Sequence, residues 1–132
     1  MTGTTHKAKW DEALRRIAEC RDSHSKKLDL SRLSLEMLPD ELLQLTWLEE
    51  LDLEYNRSLT DAAVQVVAEH CPNLQRLDIS GCDELTDAAV RAVAEHCPNL
   101  ESLSVRFCEQ FTDAAVMAVA EQCSKLQSLD VS

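Results

Sequence analysis

Cysteine and histidine are the residue types through which this chain could carry nucleophilic or metal chemistry, and it has six of the first and four of the second. His70 precedes Cys71 and His96 precedes Cys97, so an adjacent His–Cys pair recurs 26 residues on. A thiolate beside an imidazole is how cysteine nucleophiles are built, and the same two side chains bind zinc. The spacing argues against both. Zinc motifs draw on close pairs such as C-x-x-C, and none occurs here. Cys71, Cys97 and Cys123 share one repeat position, and Cys82 and Cys108 share another. A cysteine that returns at a fixed interval belongs to a core, where its thiol acts as a small hydrophobe. That spacing argues against disulfides too, although the count is even. His70 and His96 fall at helix C-termini, where partial positive charge is favourable. GxSxG, HExxH, the P-loop and the Rossmann glycine pattern are all missing, and two glycines leave little room for phosphate-cradling loops. The expectation is no catalytic residue, no metal and no cofactor.

The elements that would carry these residues follow from an internal repeat. Residues 45–70, 71–96 and 97–122 are units of 26 residues, CPNLQRLDISGCDELTDAAVRAVAEH being the middle one. CSKLQSLDVS begins a further unit at 123–132, and a shorter unit starts near Ser25. Within one unit Leu77, Asp78, Ile79 and Ser80 alternate apolar and polar, the period of a strand with one buried face. A turn follows at Gly81-Cys82-Asp83-Glu84. Thr86 then caps a helix, with Asp87 at its positive end. Ala89, Val90, Val93 and Ala94 form its apolar stripe. One strand and one helix cannot bury that face alone, but stacked copies can. Five strands about 4.8 Å apart would make a parallel sheet.

The pattern CPNLxxLxLxxCxxLTDxAVxAVAEH resembles the cysteine-containing subclass of leucine-rich repeats, best known from F-box substrate receptors of ubiquitin ligases. LDLSRLSLEMLPDELLQLTWLEELDLEYN resembles the shorter bacterial and Roco-type repeat instead. The resemblance covers about residues 25–132. It departs from the pattern at Leu45-Thr46-Trp47 in place of Cys-Pro-Asn, at Asn56 in place of Cys82 and Cys108, and at Phe111 in place of Leu59 and Leu85. It implies an α/β fold, a right-handed leucine-rich-repeat solenoid with parallel strands on the concave face and helices on the convex face. Asn56 would bond turn backbone where the later units carry Cys82 and Cys108.

Residues 1–24 are expected to form an N-terminal tail and capping helix. Trp10, Leu14, Ile17 and Ala18 recur at helical spacing and would cover the first unit. At the other end Leu126, Leu129 and Val131 would have neighbours on one side only. An exposed parallel edge invites pairing, so either the array continues or the chain self-associates end to end through residues 111–132.

Charge bears on the partner. Residues 1–27 carry a net +3 and residues 28–132 a net −14, for −11 in all. An acidic body repels nucleic acid and anionic membranes and steers a basic protein. No apolar run is long enough to span a membrane and no signal peptide opens the chain, which points to the cytoplasm. Outward strand positions form three columns. The first is Lys27, Glu50, Arg76, Ser102 and Ser128. The second is Asp29, Asp52, Asp78, Ser104 and Asp130. The third is Ser31, Glu54, Ser80, Arg106 and Ser132. Beside them Tyr55 and Phe107 occupy the position held by Arg32 and Gly81 in other units. The candidate partner-binding residues are therefore Asp29, Glu50, Asp52, Glu54, Tyr55, Arg76, Asp78, Arg106 and Phe107, with Trp47 near the edge. Phe107 projects from the rim or tucks under its loop. The function expected is protein binding on the acidic concave face. The alternatives are a fragment of a ubiquitin-ligase substrate receptor, or a structural or engineered array with no ligand.

Overall fold

A computed structural model describes residues 2–131, with side chains from residue 7 onward. The chain opens on helix α1 (Thr2–Ser23) and strand β1 (Lys27–Asp29). A short 3-10 helix at Asp40–Gln44 leads to β2 (Glu50–Asp52). Three strand–helix units follow in sequence: α2 (Asp61–His70) and β3 (Arg76–Asp78), α3 (Asp87–His96) and β4 (Ser102–Ser104), α4 (Asp113–Gln122) and β5 (Ser128–Asp130). The strands form one parallel sheet in the order β1-β2-β3-β4-β5.

The repeat interval sets the register. Leu28, Leu51, Leu77, Leu103 and Leu129 stand opposite one another across the sheet. All but Leu129 are buried, in a continuous core with Leu30, Leu53, Ile79 and Val105. Removing each such side chain from water contributes about 1.5–3 kcal/mol. Ala63, Ala68, Ala89 and Ala94 are buried on the helices behind the sheet. α2 packs on α3 and α3 on α4.

Each unit helix starts at a threonine. Thr60 Oγ1 accepts from Ala63 N, Thr86 Oγ1 from Ala88 N and Thr112 Oγ1 from Ala114 N. These satisfy amides that the first helical turn leaves free. Each helix ends at a cysteine whose N–H returns to the valine carbonyl four residues back.

α1 packs against β1 and the 3-10 helix. It begins at Thr2, ahead of the periodicity that predicts it over residues 8–24. Ala13, Ile17 and Cys20 are its buried residues, and Leu14 and Ala18 are half-buried. Trp10, expected in the core, is instead 38% exposed. It lines a surface hollow with Leu33, Leu35 and Met37. No helix among the described residues is long and apolar enough to cross a membrane.

Candidate functional site

The residues open to recognition lie on the sheet's free face. A groove of about 460 Å³ runs across β1 to β4, floored by Leu28, Leu51 and Leu77 and walled by the polar columns. In the first column Lys27 and Arg76 reach Glu50 from either side, at 3.3 and 3.5 Å. In the second, Asp29, Asp52 and Asp78 are paired in register.

Each of these aspartates also has a local task. Asp29 Oδ1 accepts from Ser31 N at 2.8 Å, Asp52 Oδ1 from Glu54 N at 2.9 Å, and Asp78 Oδ1 from Ser80 N at 2.9 Å. The side chain therefore fixes the turn that leaves the strand. Its recurrence has a structural cause that alternation alone does not disclose.

Acidic charge crowds where Asp52 and Asp78 of the groove meet Glu54 beside it. Asp52, Glu54 and Asp78, all half-buried, bring carboxylate oxygens within 4.8 Å of one another. Burial pushes the Asp52 carboxyl above its usual range, and Asp78 and Asp29 push the same way. Burial likewise raises Glu54, reinforced by Asp78 and Asp52. Asp29, at the end of the row, behaves differently. Burial raises it, but the Ser31 hydroxyl and N–H together with Arg16 bring it below the usual range. A cationic group entering the middle would relieve repulsion between like charges in a partly dry site.

A ledge borders this acidic centre. The backbone turns left-handed just past each of the first four strands, at φ 60° for Arg32, Tyr55 and Phe107 and 72° for Gly81. Glycine is the residue this region favours, and its side-chain-bearing counterparts hold strain of about 1 kcal/mol or more each. The Tyr55 ring lies over Gly81, where a Cβ would meet its Cδ1 and Cε1 atoms. That overlap brings Tyr55 and Phe107 within 6.4 Å, centroid to centroid, at 26° between planes, although a whole unit separates them. Arg32 covers the Tyr55 ring at 4.4 Å and Arg106 the Phe107 ring at 5.3 Å. Phe107 is 52% exposed, so it projects from the rim and does not tuck beneath its loop.

Ser80 and Trp47 depart from expectation. Ser80 faces the third column but is buried, its hydroxyl bonded to Ser104 Oγ at 2.8 Å and accepting from Arg106 N at 3.0 Å. Trp47 is half-buried. It stacks on His24 at 3.7 Å and donates to Ser25 O, so it fastens the first loop. Ser132 lies outside the described residues.

Among the described residues the cysteines and histidines do not converge. Cys71, Cys82, Cys97 and Cys123 are buried and free, and their thiols meet backbone carbonyls. Burial pushes the Cys71 thiol up to about 11 and those of Cys82 and Cys97 to about 12, which suppresses the reactive thiolate. His70 is exposed at the last position of its helix, with Nδ1 2.8 Å from Val66 O. Asn56 does what the resemblance implies. It accepts from Leu33 N and Leu35 N and donates to Leu30 O and Leu53 O. Cys82 and Cys108 keep only one part of that network, the bonds to Leu53 O and Ile79 O.

The sequence profile described as "Leucine Rich repeat" matches residues 44–68, 70–94 and 96–120, more than half of the chain. The chain belongs to the leucine-rich-repeat family. Leucine-rich repeats commonly mediate contacts between proteins, through the extended concave surface that stacking creates. Among solved structures the chain is similar to one from the crystal structure of a Rad7 and Elc1 complex in yeast, with a TM-score of 0.64 and 24% identity. The similarity covers 80% of this chain and 27% of that one, and at this identity it establishes shared fold alone.

Sequence reasoning missed the clasp between repeats. Asp61 accepts from Thr86 N and Thr86 Oγ1 of the next repeat, at 2.8 and 2.7 Å. Asp87 holds Thr112 in the same two ways. The recurring Thr-Asp dipeptide was the signal, since a residue at a helix start meets its counterpart once repeats stack. Burial of Ser80 had no such signal.

Proposed function

We propose that this chain holds an extended basic segment of another protein in its concave groove. The observation that carries this reading is the crowded trio of Asp52, Glu54 and Asp78. Three half-buried carboxylate oxygens lie within 4.8 Å, and two of these groups are pushed above their usual range. Such a site favours a ligand that brings positive charge. Asp29, Glu50, Arg76 and Arg106 would line the approach. Tyr55 and Phe107 would form an aromatic ledge for the ligand's apolar stem or guanidinium plane. The net −14 of residues 28–132 would speed encounter with a basic partner and disfavour nucleic acid and anionic lipid. The Rad7–Elc1 resemblance supports a role in a protein assembly only through the shared fold. The recurring Cys71, Cys97 and Cys123 favour the cysteine-containing subclass, and six free thiols suit a reducing compartment such as the cytoplasm.

An affinity isolation with the wild-type chain and the Asp52→Lys, Asp78→Lys double variant tests the groove. The double variant should lose the partner. Unchanged recovery would remove the acidic groove from the account.

A second reading concerns the end of the sheet. A hollow of about 200 Å³ opens there among Val90, Leu103, Phe111, Val119 and Leu129, and Val131 is 57% exposed. We infer that this end associates with a second copy. Light scattering should then show mass rising with concentration, and a constant monomer mass would refute it.

A further inference from the structure

Most positive charge on this chain is already neutralised. Lys27, Arg76 and Arg106 along the groove, Arg32 beside it, Lys26 and the three arginines of α1 each lie within ion-pair distance of a carboxylate. Arg57 and Lys9, like Lys7, Arg91 and Lys125, form no ion pair with an acid among the described residues, but these two are close to each other in the fold. Both reach one place. Arg57 lines a hollow of about 560 Å³ with Arg32, Ser34, Tyr55 and Ser58, at the rim just beyond the aromatic ledge. Lys9 is outside that lining but, from α1, donates to Ser34 Oγ of its wall at 3.0 Å.

Arg32 is held ready at the same spot. Its guanidinium lies over the Tyr55 ring and donates one bond to Glu54 Oε1 at 3.1 Å. A guanidinium has five N–H donors in a rigid fork, so most of them stay open. Glu54 offsets Arg32 at this margin, while Arg57 lines the hollow and Lys9 holds its Ser34. The hollow thus combines net positive charge, a pre-aimed fork and two hydroxyls, on a chain whose body is strongly acidic.

We propose that this hollow is a binding site for a single phosphate monoester, such as that of a phosphorylated serine or threonine on a partner. A phosphate ester carries nearly two negative charges and three strong acceptor oxygens. That matches the hollow's donors better than one carboxylate would. Nucleic acid and anionic bilayers would bring many charges against the acidic body, whereas one ester lies wholly inside the positive margin. This site goes beyond the groove reading and does not rest on it, because its test involves no groove ligand.

The test is a titration of the full chain followed through its amide NMR spectrum, at constant ionic strength. The probes are sodium phosphate, N-acetyl-O-phosphoserine amide, unphosphorylated N-acetylserine amide and sodium chloride. The first two should give saturable shifts confined to residues around Arg32, Ser34, Arg57 and Ser58. Arg57→Gln should weaken both about tenfold or more, as loss of one charge-assisted bond does. Arg91→Gln, on an exposed stretch of α3, should change neither. Both variants are surface changes whose spectra report directly whether the fold persists. Shifts that fail to saturate, that chloride reproduces or that survive Arg57→Gln would overturn the site. Binding of inorganic phosphate without the phosphoserine probe would overturn the ester assignment.

Discussion

Replacing Gly81 with alanine tests how the aromatic ledge is built. Gly81 stands at φ 72°, and an added Cβ would lie 2.7 Å from Tyr55 Cε1, closer than such atoms ever approach. Two contributions follow. A side chain in the left-handed region costs about 1 kcal/mol or more. The Tyr55 ring must also move off its seat, which loosens its stack with Phe107 and its contact with Arg32, each worth about 0.5–1 kcal/mol. The expected destabilisation of Gly81→Ala is therefore about 2–3 kcal/mol. In a Tyr55→Ala background the ring is gone and only the backbone contribution remains, about 1 kcal/mol. Urea unfolding of the four proteins of this cycle measures the difference, read as a shift in midpoint at constant slope. A coupling of about 1–2 kcal/mol is expected between the two positions. A coupling below about 0.5 kcal/mol, within the usual additivity error, would show that the ring does not rest on Gly81 and would refute the reasoning.

Two further outcomes concern the carboxylates. Asp87→Ala should destabilise the chain by about 1.5–3 kcal/mol in urea unfolding, because Thr112 loses two bonds to a charged acceptor. Asp113→Ala should remove only a favourable helix-end charge, about 0.5 kcal/mol, since no threonine stands opposite it among the described residues. The Thr112 hydroxyl and N–H hold Asp87 below the usual carboxylate range. Its contribution is thus present above its unfolded pKa and is lost as pH falls through the folded value. Asp52 and Glu54 have the opposite sign. Their folded pKa values are raised, so their ionisation opposes folding, and stability recovers as pH falls through those values toward the unfolded ones. Asp78→Asn should lower both, as read by carboxyl NMR titration, and no movement would show that the trio is not electrostatically coupled.

The fold was legible because its period is written in side chains that must face one interior. Leucines at equal intervals admit one register, and the sheet adopts it from Leu28 to Leu129. Asn56 was legible for a similar reason, since one amide in place of a thiol marks where turn backbone needs partners. Trp10 was misjudged because helical spacing places it on the stripe of Ile17, whereas it sits over the rim beside Leu33 and Met37, not in the core. Ser80 was misjudged because alternation gives the direction of a side chain but not what closes over it. The Asp–Thr clasp needs the distance between stacked helices, which one unit's sequence does not contain.

The repeated and unrepeated residues have different work. The aspartate column looks like a binding device from sequence alone, yet each member holds the N–H two residues ahead, which is reason enough for it to recur. Glu54, Tyr55, Arg57 and Phe107 have no such excuse. Position 55 and its equivalents require a left-handed backbone, glycine fills one of them, and Arg32, Tyr55 and Phe107 fill the others at energetic cost. Glycine would carry none of that strain, and the ring and guanidinium contacts of the other three do no more than offset it. Strain kept at the rim, beside an acidic centre and an unneutralised arginine, is the physical ground for placing recognition there. On that reasoning the aspartates supply attraction common to any basic partner, and the ledge supplies the choice among partners.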